Sequence, residues 1–516
     1  MTIRHIYKEF TVAFIALTMI SCNDFLDVAP DNRALVDTDK KITNLLVSAY
    51  PEQSAWLLCE LSSDNADDNG GTWETTTALE KQAYTWSDAT EIEQDSPQAI
   101  WDGYYHAIAS ANQALQAIND LGNPQRLDAQ KGEALICRAY CHFVLVNVFC
   151  KSYGNTSSTD LGIPFMDKTE TKVSPVYERG TVADVYAKID LDIKAALPLI
   201  DDQIYSVPKY HFNRKAAYAF ATRFNLYYRN YDKVIEYAQT VLNTDPALVL
   251  RDWKFGGNLS FNDNFRPDWY IGKDNRATLL NITTQSFWGR VFGPSFGGSK
   301  YSHNQIIANY ETTGSSGPWG NDGVFYFASG SYSAIPKIIS RTFVEYFEYT
   351  DPVNGIGYPH IVQTEFTTDE TLLCRAEAHI LKKQYDNATK DLSAFMTAYS
   401  TAGALITRSK INSYYGAMPY YTLLQPTAKK QLSPDFTIDA GEQENFINCV
   451  LHMRRILTIH QGLRWFDVKR YGIKIYRRTV DKNPIIAQDS LMANDPRTAI
   501  QLPQNVINAG ITANPR

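Results

Sequence analysis

A chain of 516 residues with a formal net charge of −7 at pH 7 is long enough to bury a large core and to form two or three domains. The acidic balance argues against nucleic acid as a partner and against electrostatic adhesion to anionic lipid. Beyond the N-terminal segment no apolar run is long enough to cross a bilayer, so the rest of the chain is expected to be soluble.

The N-terminal segment has the zones of a secretory signal. Arg4 and Lys8 form a basic head, residues 10–20 are an uncharged apolar run, and a small residue then precedes Cys22. The run is about half as long as a membrane-spanning helix. Because a cysteine at this place resembles a bacterial lipobox, we predict a signal peptide over residues 1–21 and a lipid on Cys22. The alternative is an ordinary signal peptide with an incidental cysteine.

Three amphipathic helices are predicted next along the chain. Apolar residues recur at helical spacing over residues 101–118, and Gly122 begins a Gly/Pro stop. A second stripe covers residues 134–148. A third helix begins at Thr181 with a capping-box-like sequence and ends at Pro198. Each helix has one apolar face and must therefore pack against a neighbour.

Two later segments share one arrangement. Residues 216–234 and 376–388 both consist of an Ala-rich helix, a polar turn with Tyr-Asp and a second helix, which is typical of a degenerate tetratricopeptide-like pair. The irregular period argues against an uninterrupted solenoid. We therefore predict a mainly α fold, with a tetratricopeptide-like helix-pair scaffold and long loop-rich insertions that carry a few short strands.

The largest insertion covers residues 252–336. It is rich in Gly, Asn, Ser and aromatic residues and has no helical stripe, while residues 278–282 favour a strand. A stretch of this length without helical periodicity inside a compact domain is usually functional. We predict that the insertion forms the ligand face.

The cysteines beyond Cys22 match neither a disulfide scaffold nor a zinc site. They are Cys59, Cys137, Cys141, Cys150, Cys374 and Cys449. Cys137 and Cys141 lie one helical turn apart on an apolar stripe, which favours buried thiols that act as small hydrophobes. Pairing of some of them in an oxidising compartment is the alternative.

Five short motifs occur in a characteristic order. They are residues 22–27 (CNDFLD), 133–140 (EALICRAY), 162–164 (GIP), 454–472 with GLRWFDVKRYG, and the tail with NDPR, LP and NP. In this order they resemble the SusD/RagB outer-membrane lipoproteins of Bacteroidetes over nearly the whole chain. One departure is Val353, because the family often has Arg after the preceding Asp-Pro.

The resemblance implies a single SusD-like domain over residues 22–516, anchored by lipid to the outer membrane and facing the cell exterior. It also implies a binding protein, not an enzyme. Family members capture oligosaccharide, or in some cases peptide, for a partner TonB-dependent transporter of the SusC type. We therefore expect a glycan ligand and such a transporter as partners, and no nucleic acid.

Sugar recognition needs exposed aromatic faces, because pyranose C–H bonds pack on indole or phenol rings while polar side chains hydrogen-bond the hydroxyls. Packing in the core accounts for an aromatic residue on a helical stripe but not for one on a loop. The candidate ligand-binding aromatics therefore come from the early loop and the insertion: Trp73, Trp288, Trp319, Tyr301, Trp269 and Tyr270. Trp101 lies on a helical stripe and is predicted to belong to the core.

The early loop also carries Asp67, Asp68 and Asn69, which we predict to be ligand-binding residues of a flexible polar loop. Residues 65–70 partly resemble a calcium loop. The twelfth position is Thr76 instead of Glu, so the EF-hand pattern fails, and no metal site is predicted.

Motifs for catalysis do not stand out. The sequence contains no Gly-x-Ser-x-Gly, His-Glu-x-x-His or P-loop pattern, and no carboxylate pair of the glycosidase kind is singled out. We predict neither catalytic residues nor a cofactor. The cluster of Arg464, Trp465, Asp467 and Arg470 is interpreted as structural, because it suits a helix docked by ion pairs and a buried indole.

The leading functional hypothesis is a surface lipoprotein that captures a glycan and passes it to its transporter. Peptide capture by a member of the same family is the nearer alternative. A structural or interaction lipoprotein that uses its helix pairs to hold proteins together, without a small ligand, is the alternative from another class.

The lipid anchor can be tested directly. Substitution of Cys22→Ser removes the thiol that would carry the lipid, and without acyl chains the protein has no stable hold on a membrane. We expect the variant to move from the membrane fraction to the soluble fraction, as measured by fractionation and immunoblotting. Cys59→Ser, which changes a cysteine outside the lipobox, should stay with the membranes. Retention of the Cys22→Ser protein there would contradict the prediction.

Overall fold

The structure, a computed structural model, describes most of the chain. The described residues are 36–71, 75, 77–170, 177–260, 264–293, 300–321, 324–327, 330–331, 338–340, 342–481 and 485–516. The predicted signal peptide and Cys22 lie outside them, so the lipid anchor and the domain boundary at residue 22 stay predictions.

The first scaffold helices precede the insertion. They are α1 (Asp39–Leu46), α2 (Trp56–Ser62), α3 (Ala78–Tyr84), α4 (Pro97–Asp120), α5 (Asp128–Phe149), α6 (Val182–Ala196), α7 (Arg214–Tyr227) and α8 (Tyr231–Leu242). Short 3₁₀ turns connect them at Val47–Ala49, Gln125–Leu127, Asp202–Ile204, Pro208–Tyr210 and Pro246–Leu248. Helices α4 to α8 confirm the predictions from helical periodicity.

Local sequence explains where these helices begin and end. Ser96 caps α4 by accepting a hydrogen bond from the backbone N–H of Ala99 (3.1 Å), and Gly122 beyond its C-terminus adopts a φ of +83°, which costs glycine little. Thr181 and Asp184 form the predicted capping box of α6.

Helix α5 is the centre of the scaffold. It packs against both α4 and α6, and nearly all of its residues are buried. Within the described residues, the stretch Gln125–Phe149 is the one helix long and apolar enough to cross a membrane, but its apolar window is wholly buried inside the fold. It is therefore a core helix.

The insertion contains more regular structure than its sequence predicts. Its elements are α9 (Trp253–Gly257), α10 (Phe265–Ile271), β2 (Thr278–Gln285), α11 (Trp288–Phe292), β3 (Tyr301–Ser302), α12 (Gln305–Glu311) and β4 (Gly330–Ser331). The predicted strand at residue 278 is confirmed. The four helices have only five to seven residues, which is too short for a periodic apolar stripe to appear in the sequence.

The C-terminal part completes the scaffold. Its elements are β5 (Ile338–Ile339), β6 (Tyr346–Asp351), β7 (Ile356–Thr367), α13 (Thr368–Leu381), α14 (Tyr385–Tyr399), α15 (Arg408–Ala417), α16 (Glu442–Leu457), α17 (Leu463–Tyr471), β8 (Ile475–Thr479), β9 (Ile486–Leu491), a 3₁₀ turn at Pro496–Thr498 and α18 (Gln504–Asn508). The predicted pairs α7–α8 and α13–α14 are confirmed, and they pack on each other through α13.

The strands form small sheets that connect distant segments. One sheet has the order β2-β7-β6, and a second has the order β3-β1-β8-β9, where β1 (Asp67–Asp68) comes from the early loop. Strand β1 pairs with β3 of the insertion and with C-terminal β8. The second sheet therefore ties the two ends of the domain to the insertion.

The described cysteines and the α17 segment match their structural interpretations. All six described cysteines are free and buried. Trp465 is fully buried, Arg464 forms a two-pronged ion pair with Asp64 (2.7 and 2.9 Å), and Asp467 pairs with Arg470 (2.6 Å).

A buried cluster of charges lies where the early loop, the insertion and the C-terminal helices meet. We call it the Glu311 network. The Glu311 carboxylate contacts Lys430 (2.6 Å), Arg455 (2.8 Å) and Arg478 (3.2 Å), and Asp64 lies 3.5 Å from Arg455. Burial raises the pKa of the Glu311 carboxyl, but Lys430, Arg455 and Arg478 outweigh it and lower this pKa to about 2.

Removing the Glu311 charge should destabilise the fold. Glu311→Gln leaves three buried cations without their shared carboxylate, and we expect a loss of about 3–5 kcal/mol in the free energy of unfolding near neutral pH. The native pKa of about 2 lies below the ordinary 4.5. The carboxylate's contribution is therefore complete above pH 4.5 and is lost as the pH falls towards 2. The difference in the free energy of unfolding between the wild type and Glu311→Gln should therefore narrow as the pH falls from 4.5 towards 2.

Urea denaturation at neutral pH and at about pH 3 measures both effects. The matched control is Glu236→Gln, which removes an exposed ion pair with Lys233 (2.8 Å) and should cost less than about 1 kcal/mol. Equal losses for the two variants would contradict the role of the network.

Candidate ligand-binding site

An open groove lies between the insertion and helix α15. Its volume is about 970 Å³. One wall is Tyr310 of α12 together with the turn 317–320, and the other wall is α15 with the loop 418–427. Ser316 joins the two walls, because its backbone carbonyl accepts a hydrogen bond from the Tyr414 hydroxyl (2.8 Å). We call this the Tyr310 groove.

The sequence Gly-Pro-Trp-Gly forms the turn in the first wall. Gly317 and Gly320 exchange two backbone hydrogen bonds of 2.9 Å each, and Gly320 has a φ of +117°. Gly317 lies directly against the indole of Trp319, where a Cβ would come within 2.2 Å of the ring. Glycine is therefore required at both ends of the turn, for conformation at one and for space at the other.

Trp319 anchors the turn to the scaffold. Only 4 % of the residue is exposed, and its ring packs against His452 (4.9 Å between centroids) and Phe325 (5.7 Å). The backbone of the turn consequently lines the groove while most of the indole supports it from below.

His452 of α16 provides a rigid floor beneath the turn. Its Nε2 shares a hydrogen bond with the Ser315 hydroxyl (2.7 Å) and its Nδ1 with the Tyr415 hydroxyl (2.9 Å). Burial, with a further contribution from Arg455, lowers the pKa of His452 to about 3. The imidazole is therefore neutral, and its contacts do not change across the physiological pH range.

The groove combines apolar surface with hydrogen-bonding groups. Tyr310 is 56 % exposed and Tyr414 is half-buried, so both phenol rings border the open volume. Polar side chains on the second wall include Ser413, Gln425 and Thr427. Lys410 is the charged side chain among the described lining residues.

Trp288 does not lie on an exposed loop, so that expectation is wrong. It begins helix α11, is fully buried, and donates its indole N–H to the backbone carbonyl of His460 (2.7 Å). Its ring contacts Phe292 and Phe343. No face of the indole is free to contact a sugar in this structure.

Two of the predicted tyrosines are also packed inside. Tyr301 stacks on Tyr84 at 4.3 Å between ring centroids, and the Arg251 guanidinium lies 3.6 Å from the ring centroid of Tyr270. Trp269 remains partly exposed beside Phe255 (6.0 Å). Trp269 does not line the Tyr310 groove, so its ligand contact stays a separate prediction.

The Asp67–Asn69 segment is not a flexible loop, and that expectation is also wrong. Asp67 and Asp68 form buried strand β1. Asp67 pairs with Arg478 (2.9 Å), and Asn69 donates to the Ser302 hydroxyl (2.9 Å). Asp68 accepts hydrogen bonds from the Thr479 hydroxyl (3.3 Å) and from the backbone N–H of Gly70 (2.9 Å), so all three polar side chains are occupied by protein partners.

Trp73 lies outside the described residues, so its predicted ligand contact stays a prediction. Of the candidates from the sequence, the structure places Trp319 alone in the wall of the Tyr310 groove. Tyr310 and Tyr414 were missed, because a tyrosine in a short helix has no periodic context that distinguishes an exposed ring from a packed one. The sequence Ser-Tyr-Tyr-Gly at residues 413–416 was the available indication.

Comparisons with known proteins agree with this architecture. Residues 24–226 match a SusD-like family model described as "Starch-binding associating with outer membrane". No curated protein matches the sequence. A SusD superfamily protein from Bacteroides thetaiotaomicron has a similar structure, with a TM-score of 0.61, 17% identity, and coverage of 92% of this chain and 98% of its own.

Two structures from Bacteroides vulgatus are similar as well. One is a SusD superfamily protein with a TM-score of 0.61, 16% identity, and coverage of 94% of this chain and 99% of its own. The other is a SusD-like carbohydrate binding protein, with a TM-score of 0.58, 15% identity, and coverage of 91% and 96%. Residues 24–226 are thus similar to the SusD-like family, and the fold of the chain is similar to that of SusD superfamily structures, in agreement with the resemblance that the motifs indicated.

The turn can be tested independently of any ligand. Gly317→Ala adds a Cβ within 2.2 Å of the Trp319 ring, so the turn or the indole must move, and we expect a loss of about 1–3 kcal/mol in stability. Thermal unfolding and tryptophan fluorescence measure the two consequences. Gly71→Ala is the control, because its Cβ would meet nothing within 4 Å. Unchanged stability in Gly317→Ala would show that the turn is not tightly packed.

Proposed function

We propose that the protein is a lipid-anchored binding protein of the outer cell surface. In this proposal it captures an oligosaccharide or polysaccharide and passes it to a partner TonB-dependent transporter of the SusC type. The observation that carries the binding step is the Tyr310 groove, which offers the exposed ring of Tyr310 and the half-buried ring of Tyr414 beside hydroxyl and amide groups. The anchor on Cys22 and the transporter are supported by the family's motifs.

The shape of the groove suits a polymer. An open groove lets a chain enter sideways and extend beyond both ends, whereas a closed pocket accepts only a terminus. Sugar rings would pack on Tyr310 and Tyr414, and their hydroxyls would bond to Ser413, Gln425 and Thr427. Few interactions are fully desolvated in such a groove, so each subsite contributes modestly and release to a partner is easy.

Relatives support a carbohydrate as the ligand. The matched family model carries the words "Starch-binding", and one similar structure is named a carbohydrate binding protein. The charged side chain among the described lining residues is Lys410, so the groove suits a neutral or an acidic glycan.

Peptide capture is the second candidate, and one observation favours it. Leu424 is 71 % exposed and lies on the groove wall with Met418, Pro419 and Pro426. Such an apolar wall could bind the side chains of an extended peptide. The two candidates differ in which groove residues contribute binding energy, and one set of variants distinguishes them.

Isothermal titration against a panel of polysaccharides tests the glycan proposal. Tyr310→Ala should weaken binding of the recognised glycan roughly tenfold, because an aromatic stacking contact contributes about 1–1.5 kcal/mol. The matched control is Tyr349→Ala, which removes a tyrosine of similar exposure (57 %) on strand β6 and should change nothing.

Leu424→Ala and a panel of oligopeptides form the second arm of the same experiment. Peptide binding that is lost in Leu424→Ala, without any glycan binding, would favour the alternative. Trp73→Ala belongs in the panel because its predicted contact is still open. If a bound glycan is insensitive to Tyr310→Ala, the groove assignment is wrong, and if a pull-down recovers no transporter, the delivery step is wrong.

A further inference from the structure

A second cavity lies on the opposite part of the scaffold, along helix α4. Its volume is about 570 Å³, within the range of small-molecule sites. Helix α4 forms one wall, the segment 164–170 forms the other, and Ile511 of the C-terminal tail closes one end. We call it the α4 cavity. It shares no lining residue with the Tyr310 groove.

Hydrogen bonds join the two walls of the cavity. The Asn112 amide on α4 donates to the backbone carbonyls of Met166 (2.9 Å) and Lys168 (3.3 Å), and the Tyr105 hydroxyl donates to the carbonyl of Pro164 (2.7 Å). The Asn112 amide and the Tyr105 hydroxyl thereby position the opposite segment.

Arg138 of α5 contacts both walls of the cavity and stabilises them. Its guanidinium donates to the Asn112 side-chain oxygen (2.8 Å) and to the Asp167 carbonyl (3.1 Å), and it forms a two-pronged pair with Asp192 (2.6 and 2.8 Å). The Asn112 amide and the Arg138 guanidinium therefore find their hydrogen-bond partners inside the protein, and the cavity does not depend on a ligand to stay open.

The surfaces that remain inside the cavity are mainly aromatic and apolar. Trp101 packs against Tyr105 at 4.8 Å between ring centroids, Ile108 forms the floor, and Met166 and Ile511 complete the apolar lining. Trp101 is 7 % exposed, so the predicted core position is confirmed, with a small remaining surface at the cavity.

The rim adds groups of both charges. Lys168, Glu170 and Tyr177 are among the lining residues. Burial, followed by a hydrogen bond to Glu170, raises the pKa of the Tyr177 hydroxyl to about 12. Among the described rim residues, Lys168 and Glu170 carry opposite charges.

We propose that the α4 cavity is a second binding site, which takes a neutral small molecule with an aromatic ring. The preformed, hydrogen-bonded walls and the aromatic lining together favour that class over an ion or an extended sugar chain. An aromatic group attached to a glycan and a free aromatic compound share this chemistry, and the test below separates them. The inference is independent of the proposed glycan groove.

Fluorescence titration of the Cys22→Ser chain with N-phenyl-1-naphthylamine, a neutral aromatic probe, tests the site. We expect saturable binding that Ala109→Trp weakens at least about tenfold, because Ala109 lines the cavity and is exposed, so an indole there fills the space. Gln116→Trp is the matched control, since it places the same indole on an exposed position of α4 outside the lining. It should leave binding unchanged.

Two competitors identify the ligand class. A p-nitrophenyl glucoside should displace the probe, and methyl glucoside should not. Displacement by free p-nitrophenol, but not by its glucoside, would restrict the site to free aromatics. Displacement by methyl glucoside would overturn the aromatic assignment.

One variant at each site tests whether the two sites are independent. Tyr310→Ala should bind the probe normally, and Ala109→Trp should keep its thermal unfolding temperature and any glycan binding. No saturable probe binding, equal binding in Ala109→Trp and Gln116→Trp, or loss of probe binding in Tyr310→Ala would each overturn the proposal.

Discussion

The contact between the Glu311 carboxylate and its three cations is the interaction on which the ligand face depends. Arg455 belongs to α16, Arg478 to β8, and Lys430 to the loop that follows the groove wall. Moving such charges out of water is costly, and only dense pairing repays the cost. Burial is the largest influence on Lys430 and lowers its pKa to about 8 even though Glu311 and Asp64 raise it. Each buried charge of the network is therefore stable only beside its oppositely charged partners, which makes the arrangement specific.

The same helix connects this network to the groove. Tyr310 and Glu311 are adjacent at the end of α12, yet Tyr310 is 56 % exposed and Glu311 is 1 % exposed. The carboxylate fixes the helix from inside while the phenol faces the solvent outside. The wall opposite is held by the Tyr414 hydrogen bond to Ser316 and by Trp319 packed on His452. The ligand face is thus an insertion in sequence but a rigid part of the scaffold in space, as a preorganised binding surface requires.

The two cavities illustrate different uses of aromatic residues on one scaffold. In the Tyr310 groove, the Tyr310 ring is exposed and the Tyr414 ring is half-buried, which suits the repeated weak contacts along a polymer that we propose. In the α4 cavity, Trp101 belongs to the core and Tyr105 packs against it, and both expose part of their surface to the cavity, which suits a compact apolar molecule. The two proposed sites would recognise two chemical features, one through stacking in an open groove and the other through contacts inside a cavity.

The sequence alone determined the features that depend on neighbours along the chain. Helical periodicity predicted α4 to α8 and the pair α13–α14, the capping box fixed the start of α6, and the ordered motifs indicated the family. The packed α17 segment was also predictable, because its mixture of charges and indole suits few other environments. These inferences succeed because the deciding contacts are local or because the motif is long.

The aromatic residues of the insertion were decided only by the tertiary structure. Trp288 is buried because the His460 carbonyl, 172 positions away, accepts its N–H. Asp67 is occupied because Arg478, 411 positions away, lies beside it. A Gly- and Asn-rich segment looks the same in sequence whether its aromatics face solvent or are packed, since exposure is set by distant partners and not by local propensity. The family and the scaffold could therefore be predicted from residues, whereas the site required the positions of residues far apart in the chain.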